Sequence, residues 1–291
     1  MVDKKFTVCT GRRCVIGEGP VWNAFERRLY FTNGYGGNEI CRLDPYTRRV
    51  SVRPVSRGVA AMAFDIDNRL IVSRADGVFY LRPDDSAEAL YDTAEHSILF
   101  GNDMKAGPDG RIYIGTQSGK RKGVSDKIDG KLYRIDKDGD VKVLLDGLIL
   151  SNGLDWSPDE KRFYHTDSDT ALIREYAFDR GSGEIEYTGR SAEVPGVDGF
   201  TVNTAGDILA ACWGKKHIAV IDTEKFRVAG HIETPCAIPA SCGFAGDAME
   251  FLVITSAAFG ADPETDKDAG FAVMMESEYR GRAPYLFGQA R

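Results

Sequence analysis

The sequence predicts an all-β chain folded as a six-bladed β-propeller of four-stranded antiparallel blades. Three observations carry this expectation. A strand-and-turn unit recurs six times, its period stays between 42 and 50 residues, and each unit has room for four short strands. A helical period is nearly absent, and only the stretch DTAEHSILF, ending at Phe100, reads as a turn of helix.

The recurring strand is plainest in RRLYFTN (27–33), NRLIVSR (68–74), GRIYIGT (110–116), KRFYHTD (161–167), GDILAAC (206–212) and EFLVITS (250–256). Each alternates as a strand does and follows a turn-rich cluster such as PDG or SPDEK. A third strand comes after it in EICRLDP, GVFYLRP, GKLYRID, IREYAFD, HIAVIDT and GFAVMME, and often a fourth, as in RVSVRPV and DVKVLLD. Aligning the units on the residue before the first turn puts Trp22, Phe64, Ala106, Trp156, Val202 and Phe244 in one column, at intervals of 42, 42, 50, 46 and 42 residues. A solenoid would need shorter repeats, and a sandwich would not hold this register. Residues 1–291 are read as one propeller domain, its last blade completed by an N-terminal strand around Phe6-Thr7-Val8-Cys9.

Composition narrows the function. Of 291 residues, 43% are apolar and 28% charged, the balance of a globular protein. No apolar run approaches a membrane span, and MVDKKFTVCTGRRC shows no apolar core of a secretion signal, so a cytoplasmic location is expected. The six cysteines form no CxxC pair and read as reduced, buried thiols. A net charge of −7 argues against a general nucleic-acid binder. Neither a G-x-S-x-G elbow nor a P-loop is present, which disfavours a serine hydrolase or a nucleotide enzyme.

In the stretch VIGEGPVWN, a carboxylate, Glu18, stands between two glycines just ahead of an apolar run. It lies four residues before Trp22, and the same place in the other units holds Ala60, Asn102, Asn152, Asp198 and Ala240. Equivalent positions in a cyclic array share one height around the axis, so four oxygen-bearing side chains converge there and two alanines leave room. Carboxylates facing one another in a channel raise each other's pKa unless a cation sits between them. A donor set without His or Cys favours one hard divalent cation, Ca²⁺ first and Mg²⁺ or Mn²⁺ next; Zn²⁺ or Fe²⁺ fits where waters fill the sphere.

The segments GEGPVW (17–22), NDMKAGPDGRIYIGT (102–116), SNGLDWSPDEKRFYHTDS (151–168) and VDGFTVNTAGDILAACW (197–213), with ASCGFAGDAMEFLVITS and RGRAPYLFG near the end, resemble the gluconolactonase, regucalcin and senescence-marker-protein family. The resemblance runs colinearly over nearly the whole chain. It implies a monomeric propeller that hydrolyses a small-molecule sugar lactone, with the cation held by Glu18, Asn152 and Asp198. By the same resemblance Asp198 doubles as the general base, and Asn102 meets substrate or a water beside the metal. Two substrate positions depart from the family's pattern: Phe100 stands where the sugar-lactone members carry Arg, and Lys120 where they carry Glu.

The basic run Lys120-Arg121-Lys122, placed on a loop at the channel mouth, would suit an anionic lactone. Phe100 would stack on a sugar ring or shrink the pocket. His165 and Cys212 are expected to pack, and His96 to stay out of the pocket. Two other readings stay open on the same constellation: a phosphotriesterase-like hydrolase, and a calcium-binding propeller without turnover.

Overall fold

The computed structural model describes residues 6–289. These residues form six four-stranded antiparallel sheets arranged in a ring, a six-bladed β-propeller. In five blades the strands follow one another in chain order from the axis outward, and in the sixth the first three do; the innermost strands are Ile16–Asn23, Ala61–Phe64, Gly101–Ala106, Ser151–Trp156, Val197–Val202 and Pro239–Ala245. Each inner strand packs on the next one round the ring, and the sixth returns to the first. Closure comes from the N-terminus: Thr7–Val8 pairs with Val273–Glu276, Thr7 opposite Met274 and Val8 opposite Val273. The Cys9 amide extends the ladder to the Ala272 carbonyl at 2.8 Å. Borrowing the last outer strand from the opposite chain end leaves no blade incomplete.

The column aligned from sequence becomes a buried ring. Trp22, Phe64, Ala106, Trp156, Val202 and Phe244 are all at most 5% exposed, wedged between neighbouring sheets. Trp156 anchors the densest part, with Tyr113 and Phe163 at ring-centroid distances of 4.9 and 5.1 Å. Four or five residues after each column member, the first hairpin turn holds a residue of positive φ: Arg27, Asn68, Gly110, Glu160, Gly206 and Met249, the last turn adding Gly246. The turn geometry thus repeats although its residue does not, because the twist of the flanking strands selects it.

The stretch DTAEHSILF closes a single turn, the His96 amide donating to the Asp92 carbonyl at 3.0 Å, and goes no further. Asp92 caps that loop through Ala94 N, and Ile98 is drawn into the core before a second turn can start. Among the described residues the one α-helix is the single turn Gly119–Lys122, between a Ser118 cap that accepts from Arg121 N and a left-handed Gly123. All six cysteines are free and buried. Among the described residues no helix is long and apolar enough to cross a membrane.

Candidate active site

In five of the six inner strands the ladder slips near its start: between Glu18 and Val21, Gly101 and Met104, Ser151 and Leu154, Val197 and Phe200, and Pro239 and Ser241. A bulge adds a residue to one strand and re-aims the side chains around it. Asn102, Asn152 and Asp198 lie within these slips and Glu18 at the edge of one. Gly19, next to Glu18, takes a φ of +58°, which a side chain would resist. Gly153 follows Asn152 where a Cβ would come within 2.6 Å of the Asp198 carbonyl oxygen, so the strands of blades four and five meet closely at the bulge.

Glu18, Asn102, Asn152 and Asp198 all line one cavity of about 560 Å³ at the end of the channel where the inner strands begin. Ala60 and Ala240, the other members of the repeat position, are not on its wall. Asn152 donates from Nδ2 to Oδ1 of Asp198. Asn102 is held on both sides of its amide: Nδ2 donates to the Ser151 carbonyl at 3.0 Å, and Oδ1 accepts from Gln117 Nε2 at 3.2 Å. Gln117 in turn reaches the Tyr35 hydroxyl at 2.9 Å, linking the floor to the exposed rim.

Electrostatically the floor is strained toward protonation. Burial, then the like charges of Asp198 and Asp103, hold the Glu18 carboxyl well above the ordinary range. Burial also pushes Asp198 up to about 7; the Asn152 hydrogen bond and the Arg121 charge pull the other way without cancelling it. Asp103, pushed up mainly by burial, faces the other side of the bulge, toward a cavity of about 70 Å³. There Lys105 Nζ and Arg282 Nη2 bond the two oxygens of Asp155 at 3.0 and 2.8 Å, and the C-terminal segment carrying Arg282 lies across that end of the channel. The wider opening is therefore at the Glu18 end.

Among the described residues no group of three or more His, Cys, Asp and Glu side chains gathers into a metal site. The candidate donors do not need one, being two carboxylates and amide oxygens. Their chemistry fits a hard cation: all-oxygen donors, two carboxylates that repel one another in want of a counter-charge, and an Asn152 Oδ1 left free by the bond through Nδ2.

The two substrate positions read from the departures sit elsewhere. Phe100, half-buried with a φ of +57°, and the exposed Lys120 do not line the cavity. Their neighbours do: Gln117, Arg121 and Lys122, with Tyr35, Asp169 and Trp213 across from them. The helical turn carries Arg121 and Lys122 to the wall and turns Lys120 away, a rotation that a flat reading of the run misses. Gln117 could have been found from its place just after strand Ile112–Thr116, at the channel-mouth end. His96 stays off the wall. His165 is buried, its pKa lowered by burial to about 3, and Nε2 meets Ser151 Oγ at 2.7 Å. That bond braces the residue next to Asn152, and His165 has no cavity exposure.

The family model of the SMP-30/Gluconolactonase/LRE-like region matches residues 16–258. Pentonolactonase XacC of Haloferax volcanii is 30% identical over 266 residues, covering 89% of this chain and 88% of the relative. Regucalcin of Oryctolagus cuniculus is 28% identical over 262 residues, covering 87% and 86%. Among solved structures, the calcium-binding protein regucalcin of Agrobacterium tumefaciens superposes with a TM-score of 0.85 at 21% identity, over 98% of this chain and 97% of that one, a likeness of fold. With the family model spanning all six inner strands and the first two strands of the sixth blade, this chain belongs to the SMP-30/gluconolactonase/LRE-like family.

Proposed function

We propose that this protein hydrolyses a sugar lactone in the 560 Å³ cavity, assisted by one divalent cation, Ca²⁺ in the first place, held by Glu18, Asn152 and Asp198. The observation that carries the reading is the convergence of the buried Asp198, the half-buried Glu18 and two amides on the wall of one open cavity. Membership of a family with lactonases among its named members supports the bond type.

The cation, when bound, supplies Lewis-acid polarisation of the lactone carbonyl and stabilises the charge that develops on its oxygen. The chain's own groups do the rest. Asp198 takes a proton from the attacking water on the carboxylate oxygen left free by Asn152, and gives it up to the ring oxygen as the C–O bond opens. Burial raises the Asp198 carboxyl while the bound cation would lower it, and these opposing influences would let it both accept and release a proton. Asn102, clamped by Ser151 and Gln117, offers its remaining amide hydrogen and lone pair to orient substrate or water. Trp213 and Tyr35 flank the entrance and shield the reacting end from bulk water.

The test is a lactone panel read by a pH indicator, using EDTA-stripped protein with single cations added back. Turnover that appears with a divalent cation and vanishes on chelation supports the reading. Turnover insensitive to chelation removes the metal from it, and a panel without any turnover on loaded protein removes the lactonase.

A further inference from the structure

The cavity wall carries charge that a neutral sugar lactone has no use for. Once Glu18 and Asp198 are assigned to the cation, the remaining charged groups on the wall are Arg121, Lys122 and Asp169. Two cations against one carboxylate make a basic rim on a chain whose net charge is −7. Such local inversion of sign concentrates anions at the entrance.

Arg121 is held for recognition and not consumed by it. Its backbone amide is capped by Ser118 Oγ at 3.1 Å, and the Gly119 amide of the same turn is tied to Asp129 Oδ1 at 2.8 Å. The side chain makes one described hydrogen bond, from Nη1 to Asp169 Oδ1 at 3.2 Å. That bond uses Nη1 and leaves Nε and Nη2 without a described hydrogen bond. A guanidinium edge matches the two oxygens of a carboxylate. Lys122 is placed differently, its Nζ 5.1 Å from the centre of the Tyr35 ring, where it adds field without a fork.

We propose that Arg121 is the charge-reading residue of this site, and that the preferred substrate is a lactone carrying a free carboxylate at the end remote from its carbonyl, the lactone of an aldaric or uronic acid. This rests on the lactonase reading for the bond broken, but not for the binding. The ring carbonyl lies at the Glu18–Asn152–Asp198 floor while the distal carboxylate meets the Nε–Nη2 edge of Arg121. Asp169 orients Arg121 and is a positioning residue.

Two arms test it. At equilibrium, calorimetry on the Ca²⁺-loaded protein compares glucarate, which keeps a second carboxylate, with gluconate, which has one. In turnover, kcat/KM is compared for glucaro-1,4-lactone and glucono-1,5-lactone. Wild-type protein is expected to favour the extra carboxylate in both arms, less so as salt is raised. Arg121→Gln should reduce the anionic-to-neutral ratio about 10- to 100-fold, the weight of a charge-assisted hydrogen bond. Arg121→Lys, with charge but no fork, should fall between the two. Equal preference in the wild type, or parallel losses on both ligands in Arg121→Gln, overturns the proposal. If neither lactone turns over, the lactonase reading fails, and the binding arm still decides the role of Arg121.

Discussion

Asn152 and Asp198, on adjacent blades and 46 residues apart in sequence, are joined side chain to side chain, Nδ2 to Oδ1, at the floor of the cavity. The bond sets the roles of both. It aims the Asn152 oxygen away from Asp198, and it occupies one of the two oxygens of a carboxyl that burial has already pushed up to about 7.

Replacing Asp198 by Asn keeps the shape and removes the base. Lactone turnover should fall about 10²- to 10⁴-fold, the range that a positioned base contributes. In the presence of EDTA the same variant should melt at a higher temperature than wild type, since a buried like charge beside Glu18 is gone. A variant that retains wild-type turnover would strip Asp198 of its catalytic role.

Stability and cation affinity should move in opposite directions with pH. Asp198 is raised from 3.8 to about 7, and Glu18 is raised with it, so the folded chain holds these protons more tightly than the unfolded one. Their stabilising contribution is complete below the unfolded value and is lost as pH rises through about 7. The melting temperature of the stripped protein should therefore decline over that interval. Protons and cation compete for the same oxygens, so Ca²⁺ affinity should climb over it. Calorimetry and melts across the interval check both slopes.

His165 should show the opposite slope. Its pKa is lowered from 6.5 to about 3, so the unfolded chain takes up the proton first. Its contribution is full above 6.5 and is lost as pH falls toward 3. Subtracting the pH dependence of His165→Ala from that of the wild type isolates this contribution. His165→Ala should cost about 2–4 kcal/mol in urea unfolding, from the cavity and the orphaned Ser151 hydroxyl. A cost near zero would show that the bond to Ser151 does not brace the floor.

Gly153→Ala places a methyl group against Phe200 and within 2.6 Å of the Asp198 carbonyl oxygen. Backbone must shift at the bulge, at about 1–3 kcal/mol. Since that bulge presents Asn152, Ca²⁺ affinity should fall along with stability. Weakened unfolding resistance with unchanged cation binding would separate the bulge from the site.

The propeller was legible because its cause is periodic. A blade buries its column residue and turns its first hairpin in the same way six times, so Trp22, Phe64, Ala106, Trp156, Val202 and Phe244 betray the register without any contact being known. Glu18, Asn102, Asn152 and Asp198 share a cavity for the same reason: cyclic repetition converts equal spacing into equal height. Ring closure by Thr7–Val8 was legible too, as a sixth unit short of one strand.

What repetition does not govern, the sequence left undecided. Whether Lys120 or Arg121 faces the substrate depends on one helical turn between Ser118 and Gly123, inserted in a single blade and set by local capping. The pairing of Gln117 with Asn102, the closing of the far channel end by Arg282, and the absence of Phe100 from the wall are likewise contacts between segments with no shared period. The sequence by itself determined the blades, their order and the four oxygen-bearing side chains at one height, because burial and strand alternation act locally and repeat. Only the tertiary structure decided the electrostatics and the entrance, because a buried carboxylate's pKa and a loop's orientation depend on groups that the chain brings together from distant positions.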